Sequence, residues 1–263
     1  MRNIPRIMLA GSLAAALAAW YFSGETHTSV HPSENHVTAA AENISREENL
    51  ILQAKQMIRD RYSLDINITV LIGQEMGDDL TAGRAFYRLG TKETDMQDFI
   101  SFYGLEMYQR LEESDVVVLR PLSYYGTMAG SDDPQYRLWN SLYMPDPNAD
   151  LLYKRAVLHE VGHILFYGVD MESVKSEFAE IDINSGAYLG GSEKEHPAHA
   201  SFYSYFLCIA PGFEGELLDR AVSEAWSEIF ALDTLGLLGS SQDEYLNSKI
   251  EIMHEALLNY SGD

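Results

Sequence analysis

The stretch AVLHEVGHILFY, residues 156–167, decides the fold, because it places two histidines four positions apart in an apolar segment. The first histidine, His159, is followed directly by Glu160, and the second is His163. Residues four apart on a helix face the same way, so both imidazoles can reach one zinc ion at about 2.0–2.1 Å. Zinc lowers the pKa of bound water to about 7, and Glu160 can take the proton as the water attacks a carbonyl. The pattern predicts metal-assisted hydrolysis.

The alternative is a buried helix that contains two histidines by chance. The neighbours of the pair are apolar, namely Val157, Leu158, Val161, Ile164 and Leu165. A helix with such neighbours is expected to be buried, and buried histidines and glutamates need partners, which a metal supplies. Gly162 costs about 1 kcal/mol within a helix, which makes sense if another segment approaches closely there. The context therefore favours the metal site over chance.

A catalytic zinc site needs a third protein ligand. The best source is VSEAWSEIFAL, residues 222–232, in which Glu224 and Glu228 lie one turn apart on an amphipathic helix. His199 is a further possible ligand that no spacing rule favours. The residues alone leave these choices open.

The two segments together resemble the zincin metallopeptidases, specifically the branch with glutamate as third ligand, the gluzincins. Thermolysin-like enzymes carry Glu-Ala-x-Ser-Asp-Ile-Phe on a downstream helix, and residues 224–230 read Glu-Ala-Trp-Ser-Glu-Ile-Phe. Membrane-alanyl-type aminopeptidases carry a similar glutamate. The resemblance covers 150–168 and 220–235 only, and the long interval between them implies an inserted region. The chain is thus expected to be distant from both kinds of enzyme.

The resemblance implies roles for the candidate residues. The metal ligands that it implies are His159, His163 and Glu224 for one Zn²⁺ ion. Glu160 is the implied general base, and Glu228 takes the place of an acid that orients a ligand histidine. Lethal-factor-like peptidases suggest the other register, with Glu228 as the ligand. The family also uses a Tyr or His to stabilise the oxyanion. The candidates for that role are His196, His199, Tyr203, Tyr205, Tyr245 and His254.

Charge and composition exclude some classes of function. The chain has 263 residues, 46% of them hydrophobic, which is enough for one domain with a proper core. It has 18 Lys and Arg against 40 Asp and Glu, a formal charge of −22 that repels phosphate backbones, so no nucleic-acid partner is expected. Its one cysteine, Cys208, excludes an internal disulfide framework. Nothing in the pattern indicates the oligomeric state.

The N-terminus predicts export. Residues 1–22 combine a basic start with an uncharged run over 7–22, which is typical of a signal peptide. Aromatic residues at 20–22 leave an N-terminal membrane anchor as the alternative. Residues 23–42 are expected to be a polar linker before a zincin-like domain at 43–263. The protein is therefore expected outside the cytoplasm, whether periplasmic, secreted or membrane-anchored.

The pattern of apolar residues predicts an α+β fold. Helices are predicted at 44–61, 95–111, 147–167, 214–237 and 241–259. Strands are predicted at 66–73, 115–121 and 136–144. Asp146 is expected to cap the helix at 147–167, with Pro147 in its first position. Residues 124–135 are expected to be a loop or hairpin, and 171–212 a mixed segment with a long loop. The expected architecture is a zincin-like metalloprotease domain with a small mixed sheet, an active-site helix and a helical C-terminal part.

These expectations combine into a functional hypothesis. The chain is expected to be an exported zinc metallopeptidase whose partner is a peptide or protein substrate, paired in extended form with the strand at 136–144. One alternative is a non-peptidase zinc amide hydrolase. Another is a catalytically silent zincin-like binding domain.

Overall fold

The helix that carries both histidines is capped and buried along most of its length. Asn148 accepts a hydrogen bond from the backbone N–H of Leu151 at 2.9 Å, which satisfies one of the free donors of the first turn. The prediction of Asp146 as cap and Pro147 as first helical residue is wrong, because the helix begins at Ala149. It ends at Gly168, and the buried residues lie on all sides. A helix that is apolar all round belongs in the interior of a fold.

The computed structural model describes residues 36–72, 83–86, 104, 109–110, 113–129, 143–144, 147–187, 198–200, 216–238 and 243–260. Six helices in this part of the chain are α1 (His36–Tyr62), α2 (Leu122–Met128), α3 (Ala149–Gly168), α4 (Met171–Ser185), α5 (Glu216–Thr234) and α6 (Glu244–Leu258). Three strands are β1 (Ile68–Ile72), β2 (Gly83–Phe86) and β3 (Asp115–Leu119).

The three strands form one small mixed sheet in the order β1-β3-β2. β1 runs parallel to β3, with Ile68 opposite Asp115, and β2 runs antiparallel to it, with Gly83 opposite Leu119. β3 lies in the middle, and its residues 116–119 are buried. The mixed sheet agrees with the expected α+β class.

Helix α3 is central to the described part of the fold. It packs against α1, α2, α4 and α5 and against strands β2 and β3. Its apolar residues join one hydrophobic core with residues of the sheet and of α5 and α6. The residues that α3 carries are therefore held between a sheet layer and a helical layer.

Most of the predicted elements that the structure describes are confirmed with small shifts of their ends. They are the helices at 44–61, 147–167, 214–237 and 241–259 and the strands at 66–73 and 115–121. Helix α1 begins at His36, inside the segment expected to be a polar linker. The prediction of a loop or hairpin at 124–135 is wrong for residues 124–128, because these residues belong to helix α2, which ends at Met128.

Other predictions concern parts of the chain that the structure does not describe or describes only in part. Residues 1–22 lie outside the described residues. Of the helix expected at 95–111, residues 109–110 are described and helical, but Gly104 is described outside any helix with a left-handed φ of 85°, so a continuous helix is wrong at that position. Of the strand expected at 136–144, residues 143–144 are described and lie outside any strand. No helix of the described residues is long and apolar enough to span a membrane.

Candidate metal centre

A close crossing of α3 and α5 builds the site. A Cβ atom added at Gly162 would lie 2.8 Å from Ser227 Cα, a distance that real Cβ atoms do not tolerate. Glycine at this position therefore lets the two helices approach until their backbones nearly touch. This explains the glycine between the two histidines, which the sequence indicated as a point of close approach.

Three side chains converge at this crossing. His159 and His163 project from α3 with their Nε2 atoms 3.1 Å apart. Glu224 of α5 places its Oε2 atom 3.2 Å from the Nε2 of His159 and 3.7 Å from that of His163. In a tetrahedral site with bonds of about 2.0–2.1 Å, the ligand atoms lie roughly 3.3–3.4 Å apart. The triangle thus matches the size of a tetrahedral metal site, and the group can hold a metal ion.

The other nitrogen of each imidazole faces a polar residue of α5. His163 Nδ1 lies 2.8 Å from the hydroxyl of Ser223. His159 Nδ1 lies 3.5 Å from Glu228 Oε1. Both rings therefore turn Nε2 toward Glu224. The Nδ1 of His163 has a hydrogen-bond partner, as ligand histidines in metalloproteins have, whereas the Nδ1 of His159 faces Glu228 without a hydrogen bond.

The two acids of α5 occupy different places. Glu224 stands in the triangle with the two histidines. Glu228 is 1% exposed, and Arg155 Nη2 lies 2.7 Å from each of its carboxylate oxygens. Glu228 therefore lies behind His159, with its charge paired to an arginine. This geometry favours Glu224 as the third ligand and Glu228 as the orienting acid.

The charges of the triangle are strongly coupled. Burial acts to lower the pKa of His159, but the carboxylates of Glu224, Glu228 and Glu160 outweigh it and raise the pKa to about 9. Burial lowers the pKa of His163 to about 4, and the neighbouring His159 acts in the same direction. Burial acts to raise the pKa of Glu224, but the two histidines lower it to about 2. Without a metal, the two histidines thus favour the charged form of the Glu224 carboxylate, which is the form that a metal ligand must have.

Glu160 follows His159 in α3, where its carboxylate contributes to raising the pKa of His159, and its side chain packs against strand β2. It is buried, and a Cβ atom added at Gly83 of β2 would lie 3.0 Å from both its Cγ and its Oε1. The same Cβ would lie 2.7 Å from Leu119 Cδ2. Glycine at position 83 therefore leaves room for Glu160 between α3 and the sheet. One turn of α3 thus presents its histidines to α5 and its glutamate to β2.

The remaining candidates take part in other contacts where they are described. His199 Nε2 lies 3.1 Å from Asp182, which also binds Lys249. The hydroxyl of Tyr245 donates to the backbone carbonyl of Asn184 at 3.4 Å, and His254 Nε2 lies 2.8 Å from Asp233. None of the three belongs to the triangle of the metal centre. Three candidates lie outside the described residues, namely His196, Tyr203 and Tyr205. Cys208 also lies outside them.

Three residues of the site were not found from the sequence, namely Arg155, Ser223 and Gly83. Arg155 carried a usable signal, because a cation four residues before His159 in an apolar helix needs a buried counter-charge. Ser223 directly precedes Glu224, but a serine beside a ligand is common and indicates nothing by itself. Gly83 contacts Glu160 only through the tertiary fold.

Comparison of the chain with protein-family models, with curated proteins and with solved structures finds no match.

Proposed function

We propose that this protein is a zinc-dependent peptidase that acts outside the cytoplasm. The observation that carries the proposal is the triangle of His159, His163 and Glu224, whose ligand atoms lie 3.1, 3.2 and 3.7 Å apart. Two imidazoles and one carboxylate form a donor set of catalytic zinc sites, which leave a fourth position for water or substrate. Glu160 beside them supports hydrolysis rather than a purely structural site.

The roles of the residues follow from their positions. His159, His163 and Glu224 would hold the ion. A bound zinc ion would supply a Lewis acid that polarises a carbonyl and makes a nearby water acidic near neutral pH. Glu160 accepts the proton of the attacking water and returns it to the leaving amine.

The sheet supports a peptide as the substrate. β2 lies next to Glu160, and among the described strands it pairs on one side only, with β3. An extended peptide can add to such a strand by backbone hydrogen bonds, which would bring its scissile carbonyl to the side of α3 that carries Glu160. We assign to β2 the pairing with substrate that the sequence predicted for 136–144, of which only residues 143–144 are described.

The test measures zinc content and hydrolysis in the full-length wild type and in two variants, Glu160→Gln and Glu224→Ala. The wild type is expected to hold about one zinc ion per chain and to cleave peptides from a random library. Glu160→Gln is expected to keep the metal. Its kcat is expected to fall by about 10²–10⁴-fold, because an amide cannot accept the proton of the attacking water. Glu224→Ala is expected to lose more than about 100-fold in zinc affinity, since a ligand counts for more than an outer-shell partner.

The control is Glu251→Ala, which removes an exposed carboxylate of α6 and is expected to change neither property. A Glu224→Ala protein with unchanged zinc affinity would refute the ligand assignment. A zinc-loaded wild type that cleaves small amides but no peptide in the library would favour the amide hydrolase. A zinc-loaded wild type without hydrolysis of either kind would favour the silent binding domain.

A further inference from the structure

Arg155 is a buried cation in an apolar helix. It is 5% exposed and lies one turn before His159 on α3. Its Nη2 atom lies 2.7 Å from both oxygens of Glu228, which is 1% exposed. A buried ion pair is costly to desolvate and is often no more stable than a well-packed apolar pair. Stability alone therefore does not explain why α3 and α5 carry these charges.

The position of the pair gives a reason. Glu228 Oε1 lies 3.5 Å from His159 Nδ1, while the Nε2 of the same ring lies 3.2 Å from Glu224 Oε2. The two acids of α5 thus face opposite nitrogens of one imidazole. Without a cation on its far side, Glu228 would be an uncompensated buried anion that is free to turn toward the triangle. Arg155 binds both of its oxygens and holds it behind the ring.

We propose that Arg155 is a positioning residue that sorts the two acids of α5 into different roles. By holding Glu228 against His159 Nδ1, it keeps that carboxylate out of the metal triangle and fixes the ring with Nε2 toward the metal. Glu224 is then the carboxylate that ligates. The inference rests on the proposed zinc site and adds to it a residue that acts through Glu228 and His159.

The competing explanation is a plain structural ion pair that ties α3 to α5. The two explanations differ for a variant that removes both charges and keeps the volume, Arg155→Met with Glu228→Leu. A structural pair replaced in this way leaves a folded protein with the wild-type zinc site. A positioning pair leaves a folded protein whose His159 is no longer oriented, which weakens the metal site.

The experiment measures the zinc affinity of the full chain by competition with a chelator, and its folding by urea unfolding of the metal-free form. The double variant is expected to unfold at a urea concentration close to that of the wild type and to bind zinc about 10–100-fold more weakly. Arg155→Met alone is expected to lose both stability and affinity. Arg155→Lys is expected to recover part of the affinity that Arg155→Met loses, because an ammonium can still pair with Glu228 but lacks the planar fork of the guanidinium.

The matched control removes a second buried ion pair that lies away from the metal. Lys249 Nζ is 2.5 Å from Asp182 Oδ1, joining α6 to α4. Lys249→Met with Asp182→Leu is expected to alter the unfolding midpoint and to leave the zinc affinity unchanged. A folded Arg155→Met, Glu228→Leu variant with wild-type affinity would overturn the positioning role while the zinc site stands. A wild type that binds no zinc would instead overturn the proposed function and this inference with it.

Discussion

At the scale of single residues, Gly162 sets the distance between the two helices that carry the candidate metal ligands. A methyl group there would meet the Ser227 backbone at 2.8 Å, and backbone cannot move aside as a flexible side chain can. Gly162→Ala is therefore expected to destabilise the metal-free protein by about 1–3 kcal/mol, although alanine is about 1 kcal/mol better in a helix. The wider crossing should also weaken zinc binding. Urea unfolding and chelator competition measure the two effects.

The control for this prediction is Gly126→Ala in α2. Nothing lies within 4 Å of the Cβ that alanine would add there. This change is expected to be neutral or to stabilise by up to about 1 kcal/mol, through the helix propensity of alanine. Equal stability of the wild type and Gly162→Ala would show that the crossing can widen without cost.

How far the sequence predicts the site depends on how local the signal is. His159, Glu160 and His163 are found from their spacing on one helix, because the helical repeat alone brings them together. Glu224 is found by its resemblance to a family motif, since nothing local connects it to α3. The roles of Arg155 and Ser223 depend on the register between two helices separated by a long segment, and no pattern within either helix specifies that register.

At the scale of elements, the C-terminal end of α5 is fixed by one buried carboxylate. Asp233 accepts hydrogen bonds from Arg61 Nη2 at 2.7 Å and from the Tyr62 hydroxyl at 2.6 Å, both at the end of α1. His254 Nε2 of α6 lies 2.8 Å from the same carboxylate. Burial acts to raise the pKa of Asp233, but His254, Arg61 and Tyr62 outweigh it and hold the pKa well below its usual value.

The lowered pKa of Asp233 predicts how the free energy of unfolding depends on pH. A carboxyl whose pKa is lower in the folded state stabilises the fold above its unfolded pKa of about 3.9, and the contribution is lost as the pH falls below that value. Asp233→Asn is expected to cost about 1–2 kcal/mol at pH 7, allowing for solvent around the half-exposed Arg61. The difference in the free energy of unfolding between the wild type and Asp233→Asn should shrink as the pH falls from about 4 toward the pKa of Asp233 in the folded protein. Urea unfolding at a series of pH values measures it.

An exposed pair provides the comparison for Asp233. Arg59 and Asp65 are 2.7 Å apart, with the Asp65 side chain 83% exposed. Asp65→Asn is expected to change stability by less than about 0.5 kcal/mol at any of these pH values. A gap between the wild type and Asp233→Asn that stays constant down to pH 3 would contradict the assigned role of Asp233.

The elements that sequence analysis missed are those that depend on tertiary partners. α2 contains a glycine and two tyrosines and is a weak helix by itself, but Glu47 of α1 accepts a hydrogen bond from its first backbone N–H, at Leu122. α4 buries Val174, Phe178 and Asp182 on one face. Asp182 interrupts the apolar periodicity of this face in the sequence. It can nevertheless be buried, because Lys249 of α6 donates a hydrogen bond to its carboxylate. β2 has only four residues, too few for an alternation to show.

At the scale of the whole molecule, α3 lies between the sheet and the helical layer, and side chains of one of its turns contact each of them. Its histidines, four apart, face α5 in the helical layer, while Glu160 faces Gly83 in the sheet. The peptide site proposed on β2 thus lies on the side of α3 that carries Glu160, the proposed general base. The ligands also come from two helices that are far apart in sequence, so occupation of the site closes a long loop of the chain.

This architecture predicts that zinc stabilises the whole domain and not the site alone. A ligand that binds only the folded state at 100 times its Kd adds about 2.7 kcal/mol, which for a domain of this size raises the Tm by roughly 5–10 °C. Glu160→Gln should keep the full shift, because Glu160 does not ligate. Glu224→Ala should lose it, because the link from α3 to α5 is cut, whereas Glu251→Ala should behave as the wild type. Scanning calorimetry with zinc and with a chelator measures the shift, and an equal shift in Glu224→Ala would mean that the metal binds elsewhere.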